Sequence, residues 1–129
     1  VVLEEGKPVG WITLLVQSWV HGIAEIGFSL TTSAQGRGLM VQAMELLLPT
    51  IFLGTTLERL EARCTLDNLR SQRVLERLGF VREGRLRSYF VLEGRRVDNY
   101  LYALLRPEFL AQRGLAPGVA REQGPPPNS

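Results

Sequence analysis

The 129-residue chain is poor in the residues that most often carry chemistry, with one cysteine, Cys64, and one histidine, His21. A lone cysteine excludes an internal disulfide framework and a cysteine-rich zinc site, and a lone histidine argues against a histidine-based metal centre. Lysine is nearly missing too, one residue against fourteen arginines, a bias that a GC-rich genome and adaptation to heat explain equally well. No run approaches the roughly eighteen apolar residues of a membrane span, and no signal peptide is expected. The expectation is a cytoplasmic protein without a membrane partner. Net charge is also scarce: 15 basic against 13 acidic residues leave +2, too little to argue for nucleic acid. The chain opens on Val1-Val2-Leu3, without Met, as though entered in mid-strand. What is present, 45% hydrophobic and 22% charged residues, is ordinary for one globular domain.

Patterning predicts strands over Val1 to Glu4 and Val9 to Val16, joined by the turn signal Glu5-Gly6-Lys7-Pro8. A turn over Ser18 to Gly22 leads to a third strand, Ile23 to Leu30, with Ile26, Phe28 and Leu30 on one face. After a loop, Thr31 to Gly38, comes the strongest helix, Leu39 to about Leu53, apolar except for a narrow stripe of Gln42, Glu45 and Pro49. It should lie deep against the sheet. Pro49 cannot donate to Glu45, so a kink or early stop is expected there. Arg59 to Leu66 alternates as a strand, and Leu69 to Leu78 forms a helix capped by Asp67 or Asn68 and ended by Gly79. Phe80 to Leu92 and Arg96 to Leu105 form a hairpin about Glu93-Gly94-Arg95, and Pro107 can begin a last short helix. From Ala116 onward the composition is that of a disordered tail. The expected order is β-β-β-α-β-α-β-β, an α/β protein with a mixed sheet in a domain over 1–115. Charge is segregated: residues 1–58 hold two basic and five acidic groups, residues 59–106 eleven basic and six acidic. That balance suits a polyphosphate ligand or an acidic partner, or equally arginines solvating exposed faces.

The chemically informative stretch is Gln35-Gly36-Arg37-Gly38-Leu39-Met40, between a strand and a buried helix. Glycines there let a ligand approach the backbone, and the first amides of the next helix have no intrahelical acceptor. A pyrophosphate fits such a loop. The P-loop pattern is absent, and Val41 stands where the dinucleotide fingerprint needs its third glycine.

The loop resembles the Gln-x-x-Gly-x-(Gly/Ala) acetyl-CoA pyrophosphate motif of the GNAT superfamily of N-acetyltransferases. Further segments match, in order, the branch typified by ribosomal-protein N-terminal acetyltransferases. They are Ala24-Glu25-Ile26-Gly27-Phe28, then Asn68-x-x-Ser71-x-x-Val74-Leu75-x-x-Leu78-Gly79-Phe80, Gly84-Arg85-Leu86-Arg87 and Asp98-x-Tyr100-x-Tyr102-Ala103-Leu104-Leu105. The match runs from about Val1 to Leu105, with Met40 in the last place of the loop motif instead of Gly or Ala. The resemblance implies an acyl-CoA N-acyltransferase fold, a twisted mixed sheet flanked by helices. It also implies that the family's first strand and two helices are lacking here, so that the chain reads as a piece of a longer enzyme.

Carried over residue by residue, the resemblance implies acetyl-CoA slotted between the strands Ile23 to Leu30 and Arg59 to Leu66. Phe28, Ser29 and Leu30 would pair with pantetheine, and Gln35, Gly36, Arg37, Gly38, Leu39, Met40 and Val41 would take the pyrophosphate. Asn68 would bond a pantetheine amide and Ser71 the departing thiolate; a backbone N–H near Phe28 or Ser29 would hold the developing oxyanion. Glu25 is the candidate base, directly or through water, because it lies on the strand beside the cleft. Phe90 stands where some members carry a glutamate, which favours a water-mediated path or a substrate that arrives largely deprotonated. Arg70, Arg73 and Arg77 form a basic stripe that either solvates a face or reaches a phosphate. Cys64 reads as a packed side chain, His21 as an unassigned loop residue, and Trp11, Trp19, Tyr89 and Tyr100 as core or rim. The implied reaction is acetyl transfer to a primary amine, foremost a protein N-terminal α-amine, with no metal; a homodimer is compatible with it. A catalytically silent acyl-CoA-binding regulatory module, an acetyltransferase of small-molecule amines and a nucleotide- or phosphate-binding domain are the alternatives.

Overall fold

The computed structural model describes residues 1–115. Its six strands are β1 (Val2–Glu4), β2 (Lys7–Ser18), β3 (Ile23–Leu30), β4 (Arg59–Thr65), β5 (Val81–Leu92) and β6 (Arg95–Leu105), with helices α1 (Leu39–Gly54), α2 (Leu69–Arg77) and α3 (Arg106–Gln112). The expected tail from Ala116 lies outside the described residues. One mixed sheet runs in the order β1-β2-β3-β4-β6-β5, and β3–β4 is its parallel pair. Two hairpins close on two-residue turns with left-handed backbone, Glu5-Gly6 (φ 51° and 78°) and Glu93-Gly94 (φ 52° and 77°). That geometry matches the twist of the flanking strands.

β3 begins and ends where its alternation predicts, because period-2 patterning leaves it only one face to bury. Ala24 and Ile26 of β3, Leu60 and Ala62 of β4 and Tyr102 and Leu104 of β6 form the sheet side of the core. α1 covers them with Met40, Met44, Leu48, Ile51 and Phe52, and α2 adds Leu75. Phe109 of α3 stacks on Phe52 with ring centroids 5.1 Å apart.

α1 departs from expectation in two ways. Its apolar side is wider than the sheet can cover, and Leu46 is 81% exposed beside a groove it shares with Val1, Leu3 and Ile12. The helix also does not stop at Pro49 but continues to Gly54. Arg113 Nη2 donates to the Glu45 carbonyl at 3.0 Å, supplying a hydrogen bond that proline cannot.

Strand β5 carries irregularities that its pattern did not announce. Between Leu86 and Phe90 it holds three residues against one on β6, and Ser88 has φ 51°. Asp98 closes this bulge, accepting from Ser88 N at 2.7 Å and from Arg85 Nε at 2.8 Å. Those donors hold its carboxyl below the usual range, the Ser88 amide most strongly.

Candidate functional site

β3 and β4 stay paired only through Ile23↔Arg59, Ala24↔Leu60 and Glu25↔Glu61. β2 continues beside β3 to Leu30 and β6 beside β4 to Thr65, so the sheet splits between its two parallel strands. Beyond Glu25, one edge of β3 has no strand partner among the described residues. A cleft of about 430 Å³ opens where the strands part, lined by Phe28, Ser29 and Leu30, by the loop and first turn of α1, and by α2.

The loop turns through Gly36 (φ 82°) and Gly38 (φ 72°), a region that side chains disfavour. Gly38 is the N-cap of α1, and the first intrahelical bond is Gln42 N to Gly38 O at 3.1 Å. The amides of Leu39, Met40 and Val41 therefore precede the helical ladder, at the positive end of the 16-residue α1. Across the cleft, Asn68 caps α2 by accepting from Ser71 N at 3.1 Å, so its amide nitrogen remains able to donate elsewhere. Ser71 faces the same space.

Three arginines missing from the predicted cofactor set also line the cleft: Arg70, Arg73 and Arg77. Their i, i+3, i+7 spacing was visible in the sequence as a stripe, but what it faced depended on how α2 docks. Arg77 Nη1 stands 4.0 Å from where a Cβ on Gly38 would lie. Arg70 Nη1 donates to Gln35 Oε1, and Gln35 Nε2 donates to the Leu30 carbonyl at 3.1 Å, joining the two walls. Among the described residues, no carboxylate lines the cleft.

Two expected site residues stand apart from the cleft lining. Arg37 turns outward and makes a bidentate pair with Glu4 of β1 at 2.6 and 2.9 Å, which leaves only its backbone in the loop. Glu25 sits at the last paired position before the split and bonds Arg63 Nη1. Arg63 also bonds Glu61 at 3.1 Å, and Arg59 bonds Glu61 at 2.8 Å and Glu83 at 2.6 Å. The guanidinium of Arg63 stands 5.5 Å from the Tyr89 ring centroid. Phe90, packed edge-on against Tyr89, offers no proton acceptor. Cys64 is buried on the core face of β4, and burial pushes its thiol up. Among the described residues no three His, Cys, Asp or Glu side chains gather as metal ligands, and no helix is long and apolar enough to cross a membrane.

A mixed sheet split between two parallel strands, with a cationic, amide-lined cleft at the split, is the architecture of an acyl-CoA N-acyltransferase. Residues 1–81 match the family model described as Acetyltransferase (GNAT) domain, and the chain belongs to that family. It is 32% identical over 109 residues to the N-acetyltransferase p20 of Bacillus licheniformis, covering 84% of this chain and 61% of that protein. It is also 32% identical over 102 residues to the ribosomal-protein-serine acetyltransferase of Escherichia coli K12, covering 79% of this chain and 57% of that one. Among solved structures, RimL, a ribosomal L7/L12 alpha-N-protein acetyltransferase in complex with coenzyme A, superposes with a TM-score of 0.75 at 27% identity, over 78% of this chain and 57% of that chain. The chain thus spans about three fifths of the length of these two curated relatives.

Proposed function

We propose that this chain is the cofactor-binding part of a cytoplasmic acetyl-CoA-dependent N-acetyltransferase, acting on a protein N-terminal α-amine. The observation that carries the reading is the cleft at the β3–β4 split, which offers amides and three arginines and no lining carboxylate. Such a site suits a ligand with several phosphates at one end and an extended amide-bearing arm at the other. The amides of Gly36 to Val41 receive the pyrophosphate, and Arg70, Arg73 and Arg77 neutralise phosphate charge. The unpartnered edge of β3 pairs with the pantetheine amides through Phe28, Ser29 and Leu30, assisted by Asn68.

In the reaction, the neutral amine attacks the thioester carbon. A β3 amide at Phe28 or Ser29 donates to the carbonyl oxygen as it gains charge. As the C–S bond breaks, Ser71 donates its hydroxyl hydrogen bond to the departing sulfur. The amine proton leaves through water to Glu25, the one carboxylate on β3. Glu25 is already engaged by Arg63, and Phe90 accepts no proton, so an acceptor that arrives partly deprotonated is favoured. An α-amine with a pKa near ~8 is about half neutral at pH 8, whereas a lysine near ~10.4 is well under ~1% neutral. The similarity to RimL, an alpha-N-protein acetyltransferase, supports the same acceptor class, and that to the ribosomal-protein-serine acetyltransferase supports a protein acceptor.

The hydrocarbon at Phe90 supports a second reading, a module of the same fold that binds acyl-CoA and transfers nothing. Calorimetry with acetyl-CoA and a thiol-release assay on peptides with free N-termini decide between them. Binding with thiol release is expected; binding without release on any amine favours the silent module, and no binding overturns both.

A further inference from the structure

α2 turns Ser71, Arg70, Arg73 and Arg77 toward the cleft and Gln72 and Glu76 toward β5 and β6. On that second side one side chain, Arg82 of β5, connects everything. It stands directly across the ladder from Tyr102 and donates to the Tyr102 hydroxyl from Nε at 3.1 Å and from Nη2 at 2.9 Å. Nη2 also donates to Gln72 Oε1 at 3.2 Å, while the guanidinium carbon lies 3.8 Å from the Tyr100 ring centroid. The Tyr102 hydroxyl in turn donates to Glu76 Oε2 at 3.0 Å. Gln72, only 7% exposed, passes the connection on by donating to the Leu66 carbonyl at 2.8 Å and, more loosely, to that of Thr65 at 3.4 Å. Those carbonyls belong to the turn that delivers Asn68 and Ser71 to the cleft.

We infer that Arg82 is a positioning residue for acetyl transfer: without lining the cleft, it sets the placement of α2 and hence of Asn68, Ser71 and the phosphate-facing arginines. The direct Arg82–Glu76 contact, 3.6 Å and largely exposed, contributes little by itself. The buried partners matter more, because Gln72 and the Tyr102 hydroxyl are left short of a bond when the guanidinium is removed. α2 is only nine residues long and keeps its place by such tertiary contacts. A cation laid on Tyr100 and forked to Tyr102 and Gln72 leaves it little freedom to slide or tilt.

The functional consequence rests on the acetyl-CoA reading above, and the test therefore has one arm that needs no ligand. Arg82→Met keeps a long apolar stem over Tyr100 and removes the donors; Tyr102→Phe removes only the hydroxyl, so the core ring stays. Hydrogen exchange on the ligand-free proteins is expected to speed about tenfold over residues 65–77 in both variants, with β6 unchanged. In the second arm, acetyl-CoA Kd rises about fivefold to tenfold in each single variant. It rises no further in the double variant, because both act through one network. Arg82→Lys, which keeps the charge over Tyr100 and one donor, recovers part of the affinity. Unchanged exchange over 65–77, fully additive effects on Kd, or a lowered melting temperature with unaltered Kd would each overturn the inference. Wild-type protein that binds no acetyl-CoA overturns the functional reading instead, while exchange still decides what Arg82 does to α2.

Discussion

Arginine does opposite work on the two sides of this sheet. On the outer face, Arg59 and Arg63 are closed into pairs with Glu25, Glu61 and Glu83, so their charge is spent within the protein. In the cleft, Arg70, Arg73 and Arg77 face backbone amides, and no carboxylate joins them in the lining. The near-neutral total of +2 hides this division. The proposed anion site depends less on added cations than on acids kept away from a few of them. The outer pairs tie β3, β4 and β5 together below the split, whereas the cleft arginines leave attraction available to a ligand.

The comparison breaks first at Gly38. Gly38→Glu forces a side chain onto a left-handed backbone and places a carboxylate near Arg77, importing the outer-face arrangement into the cleft. Acetyl-CoA affinity should fall about a hundredfold or more by calorimetry, and unchanged affinity would remove the loop from the phosphate site. Next come the arginines themselves. Arg77→Ala and Arg73→Ala should each weaken binding about fivefold to tenfold and flatten its dependence on salt, as expected for lost charge-assisted bonds. Arg59→Ala, from the outer face, should change Kd by less than about twofold; an equal loss there would erase the distinction between the faces.

Ser71→Ala separates chemistry from binding. Turnover should fall about tenfold at nearly constant acetyl-CoA Kd, the pattern of an interaction made in the transition state. A matching loss of affinity would make Ser71 a binding group instead. The smallest effect is on acid stability. Arg59 holds the Glu83 carboxyl below its ordinary range, so its ion pair stabilises the fold above that range and stops doing so as pH falls through the depressed folded value. Wild type should therefore exceed Glu83→Gln in stability by a constant, small margin above the ordinary carboxylate range, and the margin should shrink as pH falls below that range. A margin that grows on acidification has the wrong sign for this pairing.

What the sequence disclosed follows the range of the interactions involved. β3 was legible to the residue because alternation is local, and the Gln35 to Met40 loop was legible because glycines at those spacings serve the backbone. The extent of α1 to about Leu53 was legible as well, but the partner of its Glu45 carbonyl was not, since Arg113 stands 68 positions away. Nor was the outward turn of Arg37, which depends on Glu4 of a hairpin 33 residues upstream. The β5 bulge needed Asp98 from the neighbouring strand. Glu25 was singled out as a base candidate for its place on the strand beside the cleft, but alternation carries no information about Arg63 across the parallel ladder.

Amide chemical-shift mapping during a titration with acetyl-CoA tests the division between the two faces most directly. Shifts should concentrate on Phe28 to Leu30, Gly36 to Val41 and Asn68 to Arg77, with Arg59, Glu61 and Glu83 nearly still. Shifts centred on the Arg59–Glu61–Glu83 face, or none at saturating ligand, would contradict the assignment of the β3–β4 split as the acetyl-CoA site.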